Sequence, residues 1–265
     1  MSDEALILGL CFALILPFLG NTLGAAFVFF MRKGMSEWFQ KLLLGFAAGV
    51  MVAASVWSLI IPSIEAAEGS ALPAWVPAAV GFLAGMLLLL LVDHFLPHLH
   101  VGSDEPEGMK SGLKKHTMMI LALAIHNLPE GMAVGVVLAG FLGGDVSIGL
   151  PAVAALSIGI AIQNIPEGAI VSMPLVQNGV SKPKAFALGT ACGAVEPLGS
   201  ILMVAITSLI TPLLPYVLAF AAGAMMYVVT EELIPETQEG RHTNIGTIGV
   251  GIGFVLMMIL DVALG

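Results

Sequence analysis

The chain has 265 residues, 58% hydrophobic and 10% charged, with a formal net charge of −9 and a mean hydropathy of +1.02. Such a composition belongs to polytopic helical membrane proteins and leaves no room for a separate water-soluble domain, so the chain is read as one transmembrane domain over residues 1–265. The two cysteines, Cys11 and Cys192, lie in apolar runs and cannot form a disulfide framework, and no nucleic-acid partner is expected.

A bilayer span takes about 20 apolar residues. By that measure eight spans are expected, at 4–30, 38–66, 73–95, 117–140, 147–174, 184–210, 213–234 and 244–264. The chain starts Met-Ser-Asp-Glu, without the basic region of a cleavable signal, so span one is read as a retained helix. The nine basic residues (Arg32, Lys33, Lys41, Lys110, Lys114, Lys115, Lys182, Lys184 and Arg241) all fall in or beside the loops after spans one, three, five and seven. Those loops share one side, which the positive-inside rule makes cytoplasmic. Both termini and the acidic residues Glu65, Glu68 and Asp145 are then outside, where they would concentrate cations. A plasma (inner) membrane of a bacterium is the expected location.

An internal repeat runs through the spans. Phe46-Ala47-Ala48-Gly49, Met51 and Ile61-Pro62 of span two match Phe220-Ala221-Ala222-Gly223, Met225 and Ile234-Pro235 of span seven. Gly81, Gly85 and Asp93 of span three match Gly249, Gly253 and Asp261 of span eight at the same spacing. Spans one to three and six to eight are therefore expected to form inverted repeats around spans four and five, an arrangement of secondary transporters with a site at the midplane. Small residues four apart, such as Gly20/Gly24, Gly131/Gly135 and Gly189/Gly193, predict close helix packing and are compatible with a homodimer.

Between the repeats, two polar strings interrupt apolar sequence: His126-Asn127-Leu128-Pro129-Glu130-Gly131 in span four and Gln163-Asn164-Ile165-Pro166-Glu167-Gly168 in span five. A carboxylate at the centre of a membrane helix costs roughly 2.5–3.5 kcal/mol on insertion scales, so two of them need a compensating partner. A bound cation would supply it. Residues four apart share a helix face, which predicts that His126 and Glu130 grip one ion together, as do Gln163 and Glu167. Pro129 and Pro166 cannot donate to the carbonyls of Ile125 and Ile162, freeing an oxygen at that depth, while Gly131 and Gly168 admit a neighbouring helix. Glu196, followed by Pro197 in span six, is a third intramembrane carboxylate, and Met51 is a candidate soft ligand. Glu231 and Glu232 are placed near the inner end of span seven, on an exit path. The 96–116 loop, with His98, His100, His116, Asp104, Glu105 and Glu107, reads as solvated and cytoplasmic, with weak metal capture as the alternative.

One imidazole among carboxylates and amides suits Zn²⁺ first, and also Cd²⁺, Fe²⁺ or Mn²⁺; the lack of thiolate argues against Cu⁺, and the imidazole against a dedicated Mg²⁺ or Ca²⁺ site. The ion is expected as cargo, with no catalytic cofactor. With eight spans, the paired Asn-x-Pro-Glu-Gly strings and a His-bearing loop after span three, the chain resembles the ZIP family of divalent metal transporters, in its bacterial GufA-like branch. The resemblance covers nearly the whole chain. It implies an all-α fold and metal flow into the cytoplasm through a two-metal site formed by His126, Asn127, Glu130, Gln163, Asn164, Glu167 and Glu196 with Met51. Many family members carry His where this chain has Gln163, so one nitrogen ligand is missing here.

Two other readings compete. An intramembrane zinc protease needs His-Glu-x-x-His and a di-iron bundle needs Glu-x-x-His pairs; neither string occurs, so no enzyme is expected. A carrier of another solute with structural carboxylates lacks an evident substrate pocket.

Overall fold

The structure is a computed structural model that describes residues 3–30, 35–98, 108–109, 112, 115–145, 148–177, 179–209, 213–240 and 243–264. Eight helices are long and apolar enough to cross a membrane. They are α1 (Leu6–Phe30), α2 (Glu37–Ala66), α3 (Trp75–Phe95), α4 (Ala124–Gly143, the apolar part of a helix that starts at Lys115), α5 (Leu150–Gln177), α6 (Lys182–Ile206), α7 (Leu214–Gln238) and α8 (Ile245–Leu264). The count and order match the sequence expectation, and the described residues contain no strand.

The helices pack as four intimate pairs, α2 on α8, α3 on α7, α1 on α5 and α4 on α6. Reading α1, α2, α3 and α4 as the counterparts of α6, α7, α8 and α5 turns the first pair into the second and the third into the fourth. Glycines fix the detail. A Cβ on Gly81 or Gly85 of α3 would collide with the carbonyl oxygens of Tyr216 and Phe220 on α7, and one on Gly249 or Gly253 of α8 with those of Leu42 and Phe46 on α2. Gly49 likewise meets Val250, and its counterpart Gly223 meets Phe82. Each contact of one repeat thus recurs in the other. Matched helices are an odd number of crossings apart, five for α1/α6, α2/α7 and α3/α8 and one for α4/α5, so they run in opposite directions and the repeats are inverted. In lipid these close approaches let dispersion and backbone contacts replace the hydrophobic force that holds soluble bundles.

Both α2 and α7 widen into a π-type turn at matching places, Ser55–Ile60 and Val229–Leu233. A π turn inserts one extra residue and rotates whatever follows it, and such turns are frequent at functional sites. The helices carrying the polar strings are the enclosed ones: 78% of the α4 span and 72% of the α5 span is buried, against 17% of α8. Large apolar side chains such as Leu83 and Leu87 on α3 and Ile252 and Val262 on α8 are exposed, as a lipid-facing surface requires. The polar strings therefore sit at the centre and the apolar faces outside.

Candidate metal site

Pro129 and Pro166 do not break their helices, since Lys115–Gly143 and Leu150–Gln177 are each continuous. They carry the polar side chains into the bundle. His126, Asn127, Glu130, Gln163, Asn164 and Glu196 are all buried, while Glu167 is half-buried. Gly131 and Gly168 do admit neighbours: a Cβ on Gly131 would collide with the Glu196 carbonyl of α6, and one on Gly168 with the Asn21 carbonyl of α1.

Two polar clusters result. In the first, Gln163 Nε2 donates to Glu130 Oε1 at 2.7 Å and Asn164 Nδ2 donates to Glu196 Oε2 at 2.8 Å, with a further contact to the Pro17 carbonyl at 3.2 Å. In the second, His126, Asn127, Glu167, Asn21 and Glu236 line a cavity of about 30 Å³ together with Leu44, Ala122, Ile170, Val171 and Leu233. That volume holds about one small ion or water. His126 Nδ1 lies 2.8 Å from Glu232 Oε2 and 3.2 Å from the Ala122 carbonyl.

The contacts run between the two helices. Neighbouring spans run antiparallel, so the start of one string lies level with the end of the other. Gln163 therefore meets Glu130, and His126 shares its cavity with Glu167.

The first cluster is left with acceptors only. Glu130 Oε2, Gln163 Oε1, Asn164 Oδ1 and Glu196 Oε1 are buried without a hydrogen-bond partner among the described residues. Each amide nitrogen already donates to one carboxylate oxygen, Gln163 to Glu130 and Asn164 to Glu196. Buried polar atoms of a native structure are almost always satisfied, so four orphaned oxygens on three helices call for a partner that brings positive charge. No three His, Cys, Asp or Glu side chains are gathered at ion-holding distance among the described residues. The first cluster holds Glu130 and Glu196 flanked by amides, and the second cavity is lined by His126, Glu167 and Glu236 beside its amides.

The family model described as ZIP zinc transporter matches residues 109–261. The zinc transporter ZIPB of Bordetella bronchiseptica is 42% identical over 253 residues, covering 94% of this chain and 79% of that protein. The chain belongs to the ZIP family. Zinc transporter ZIP11 of Xenopus tropicalis is 37% identical over 91% of the chain and 93% of its own length, and zinc transporter GufA of Myxococcus xanthus is 37% identical over 79% and 81%.

Within this ZIP chain the remaining residues sort as follows. Met51 is fully buried in the apolar core. Glu231 is exposed, as an interfacial residue would be, but Glu232 is buried against His126, deeper than its sequence position suggested. The π turn at Val229–Leu233 accounts for it by rotating Glu232 inward. Glu236, one turn on and half-buried in the cavity wall, was missed because span seven was expected to stop at 234; its spacing of four from Glu232 was the available signal. Asn21, a lone polar residue in apolar α1, was missed as well. His98 is buried, with Nε2 3.0 Å from Asp93 and Nδ1 2.8 Å from the Leu96 carbonyl. His100, Asp104, Glu105 and Glu107 lie outside the described residues, as do the basic residues Arg32, Lys33, Lys110, Lys114 and Arg241.

Proposed function

We propose that this ZIP chain carries divalent transition-metal ions, zinc first, across a bacterial inner membrane into the cytoplasm. The cargo is held by His126, Asn127, Glu130, Gln163, Asn164, Glu167 and Glu196, with the two clusters acting as two adjoining stations for metal. The observation that carries this reading is the set of four orphaned acceptor oxygens at Glu130, Gln163, Asn164 and Glu196. A cation is the one partner that satisfies four acceptors at once without needing a donor from the protein. The named activity of ZIPB, ZIP11 and GufA agrees with it.

The donor set sets the preference. Carboxylate and amide oxygens with one imidazole accept zinc and its borderline neighbours Cd²⁺, Fe²⁺ and Mn²⁺, without the thiolates that select Cu⁺. Both termini lie outside, and the basic loops face the cytoplasm. A cleft of about 660 Å³ lined by Ser70, Pro77, Gly140, Asp145 and Tyr216 opens at the other end of α4 from the His126 cavity, and on this orientation it faces outward. Buried Val134, Val137 and Leu138 intervene between that cleft and Glu130.

Zinc uptake into liposomes tests the activity: wild-type protein loads them with zinc and Glu130→Ala does not. Equal loading by empty and protein-bearing liposomes would overturn the reading. Orientation is tested apart from it, by labelling Glu68→Cys in intact cells with a reagent that cannot cross the membrane; protection of that cysteine from outside would invert the topology.

A further inference from the structure

The inverted repeat makes a demand at one place that the polar strings do not meet. Glu196 on α6 reaches the first cluster because Gly131 lets the backbone of residue 196 ride against α4. In the other half, Gly168 lets the backbone of residue 21 ride against α5 in the same way. Gly24 then meets the Ile165 carbonyl as Gly199 meets that of Leu128. Asn21 is therefore the structural counterpart of Glu196, as Asn127 is of Asn164, Glu167 of Glu130 and His126 of Gln163. The match is one of surroundings as well as register, since Asn21, Asn127, Glu167 and His126 line one cavity.

Its side chain is seated rather than loose. Asn21 is 2% exposed and its Nδ2 donates to the Gly189 carbonyl at 2.9 Å. A Cβ on Gly193 would fall on that same amide nitrogen, so the absence of a side chain at Gly193 makes the space in which it rests. With Nδ2 held by Gly189, the atom the amide has to offer a cation is the carbonyl oxygen Oδ1. An amide oxygen with a fixed partner behind it is a preorganised neutral donor to a metal.

We propose that Asn21 is a further ligand for the transported ion, completing the His126–Glu167 station through Oδ1 as Glu196 completes the Glu130–Gln163 station. The stations are unequal: the Glu196 station carries two carboxylates and no imidazole, while the Asn21 station has an imidazole and two amides beside Glu167, with Glu236 in the same cavity wall. The ion passing between them gains an imidazole nitrogen. The softer station adjoins Glu232, where release to the inner side would begin.

This proposal rests on the transport reading above, and the experiment separates the two. Asn21→Leu, Asn21→Ser and Asn21→Asp are purified beside wild type and Glu130→Ala, and the monodisperse fraction of each is used for zinc and manganese calorimetry and for uptake kinetics in liposomes. Loss of the Oδ1 ligand in Asn21→Leu is expected to weaken zinc binding about tenfold and to raise the KM for zinc by a similar factor. Asn21→Asp removes the donor to Gly189 but adds an anionic ligand, so it is expected to bind zinc more tightly than wild type despite lower thermal stability. Asn21→Ser is expected to fall between Asn21→Leu and wild type. If all three lose stability while the folded fraction keeps wild-type zinc affinity and KM, Asn21 is only a packing hydrogen bond and the proposal is overturned. Wild-type liposomes that take up no zinc would instead overturn the transport reading.

Discussion

Around Glu130 the α4–α5 interface holds two carboxylates and two amides with four oxygens left over; around Glu167 it holds an imidazole, one carboxylate, two amides and a cavity that reaches Glu232 and Glu236. The backbone beneath the two is nearly the same, because each motif glycine seats a neighbouring helix in the same way. An inverted repeat therefore supplies equal scaffolding, and substitutions at equivalent positions make the scaffolding do different chemistry. Gln163 opposite His126 and Glu196 opposite Asn21 are the two changes that matter, one exchanging oxygen for nitrogen and the other charge for neutrality. On the proposed transport reading such inequality is useful, since two identical stations would give an ion no reason to move on.

The largest expected effect comes from removing what the two clusters share. Glu130→Ala and Glu167→Ala should each reduce zinc uptake by about 100-fold or more while the protein still inserts and purifies. Each substitution deletes a ligand and also relieves the desolvation of a buried charge, so stability need not fall with activity. Uptake in liposomes read beside the thermal melt in detergent distinguishes this from misfolding. A variant that melts as wild type and transports as wild type would remove that carboxylate from the site.

The scaffolding breaks differently. Gly131→Ala and Gly168→Ala drive a methyl into the carbonyls of Glu196 and Asn21, and no side-chain rotation relieves a clash with backbone. Overpacking of this kind costs about 1–3 kcal/mol, and here it also separates the helices that carry the ligands. Both variants should purify poorly and melt several degrees lower, whereas Gly251→Ala on the outer face of α8, with open space around it, should melt as wild type or higher. Equal melting of all three would mean that the close approaches do not hold the bundle.

Much of this was legible in the sequence. Eight spans follow from apolar length, the repeat from paired Phe-Ala-Ala-Gly strings, and the ligand candidates from polar residues where lipid would expel them. What was hidden depends on relations between helices. The pairing of Gln163 with Glu130 comes from antiparallel register, which the periodicity of a single helix does not contain. Glu232 was placed too near the surface because an α-helical wheel has no π turn in it. Asn21 stood alone in α1, and only the glycine contacts of Gly168 and Gly24 identify it as the match of Glu196.

A middling effect is expected at His126. In His126→Gln the second cluster loses its one nitrogen and comes to resemble the first, so zinc affinity should fall about tenfold while manganese affinity changes little. The contact to Glu232 is lost as well, leaving that carboxylate without its imidazole partner. Calorimetry with both ions reads the ratio; an unchanged zinc-to-manganese ratio would place His126 outside the metal's reach.

The smallest effect, and the sharpest comparison, is the reverse exchange. Gln163→His gives the first cluster an imidazole where the second already has one. Zinc binding should tighten and the preference for zinc over manganese should rise, because nitrogen favours zinc in the usual affinity order. Gln163 is fully buried and its Nε2 donates to Glu130 Oε1, so a neutral imidazole must keep that bond through one ring nitrogen while presenting the other to the metal. Transport need not quicken. Each ~1.4 kcal/mol of added affinity slows release about tenfold unless the barrier top is lowered equally, so tighter capture at the first station holds the ion back from the second. The expected result is a lower KM for zinc with a lower maximal rate, and a manganese KM close to wild type. Uptake of both ions in liposomes beside binding in detergent measures it. If zinc and manganese respond alike, the residue at 163 positions Glu130 without touching the ion, and the inequality of the two clusters rests on Glu196 and Asn21 alone.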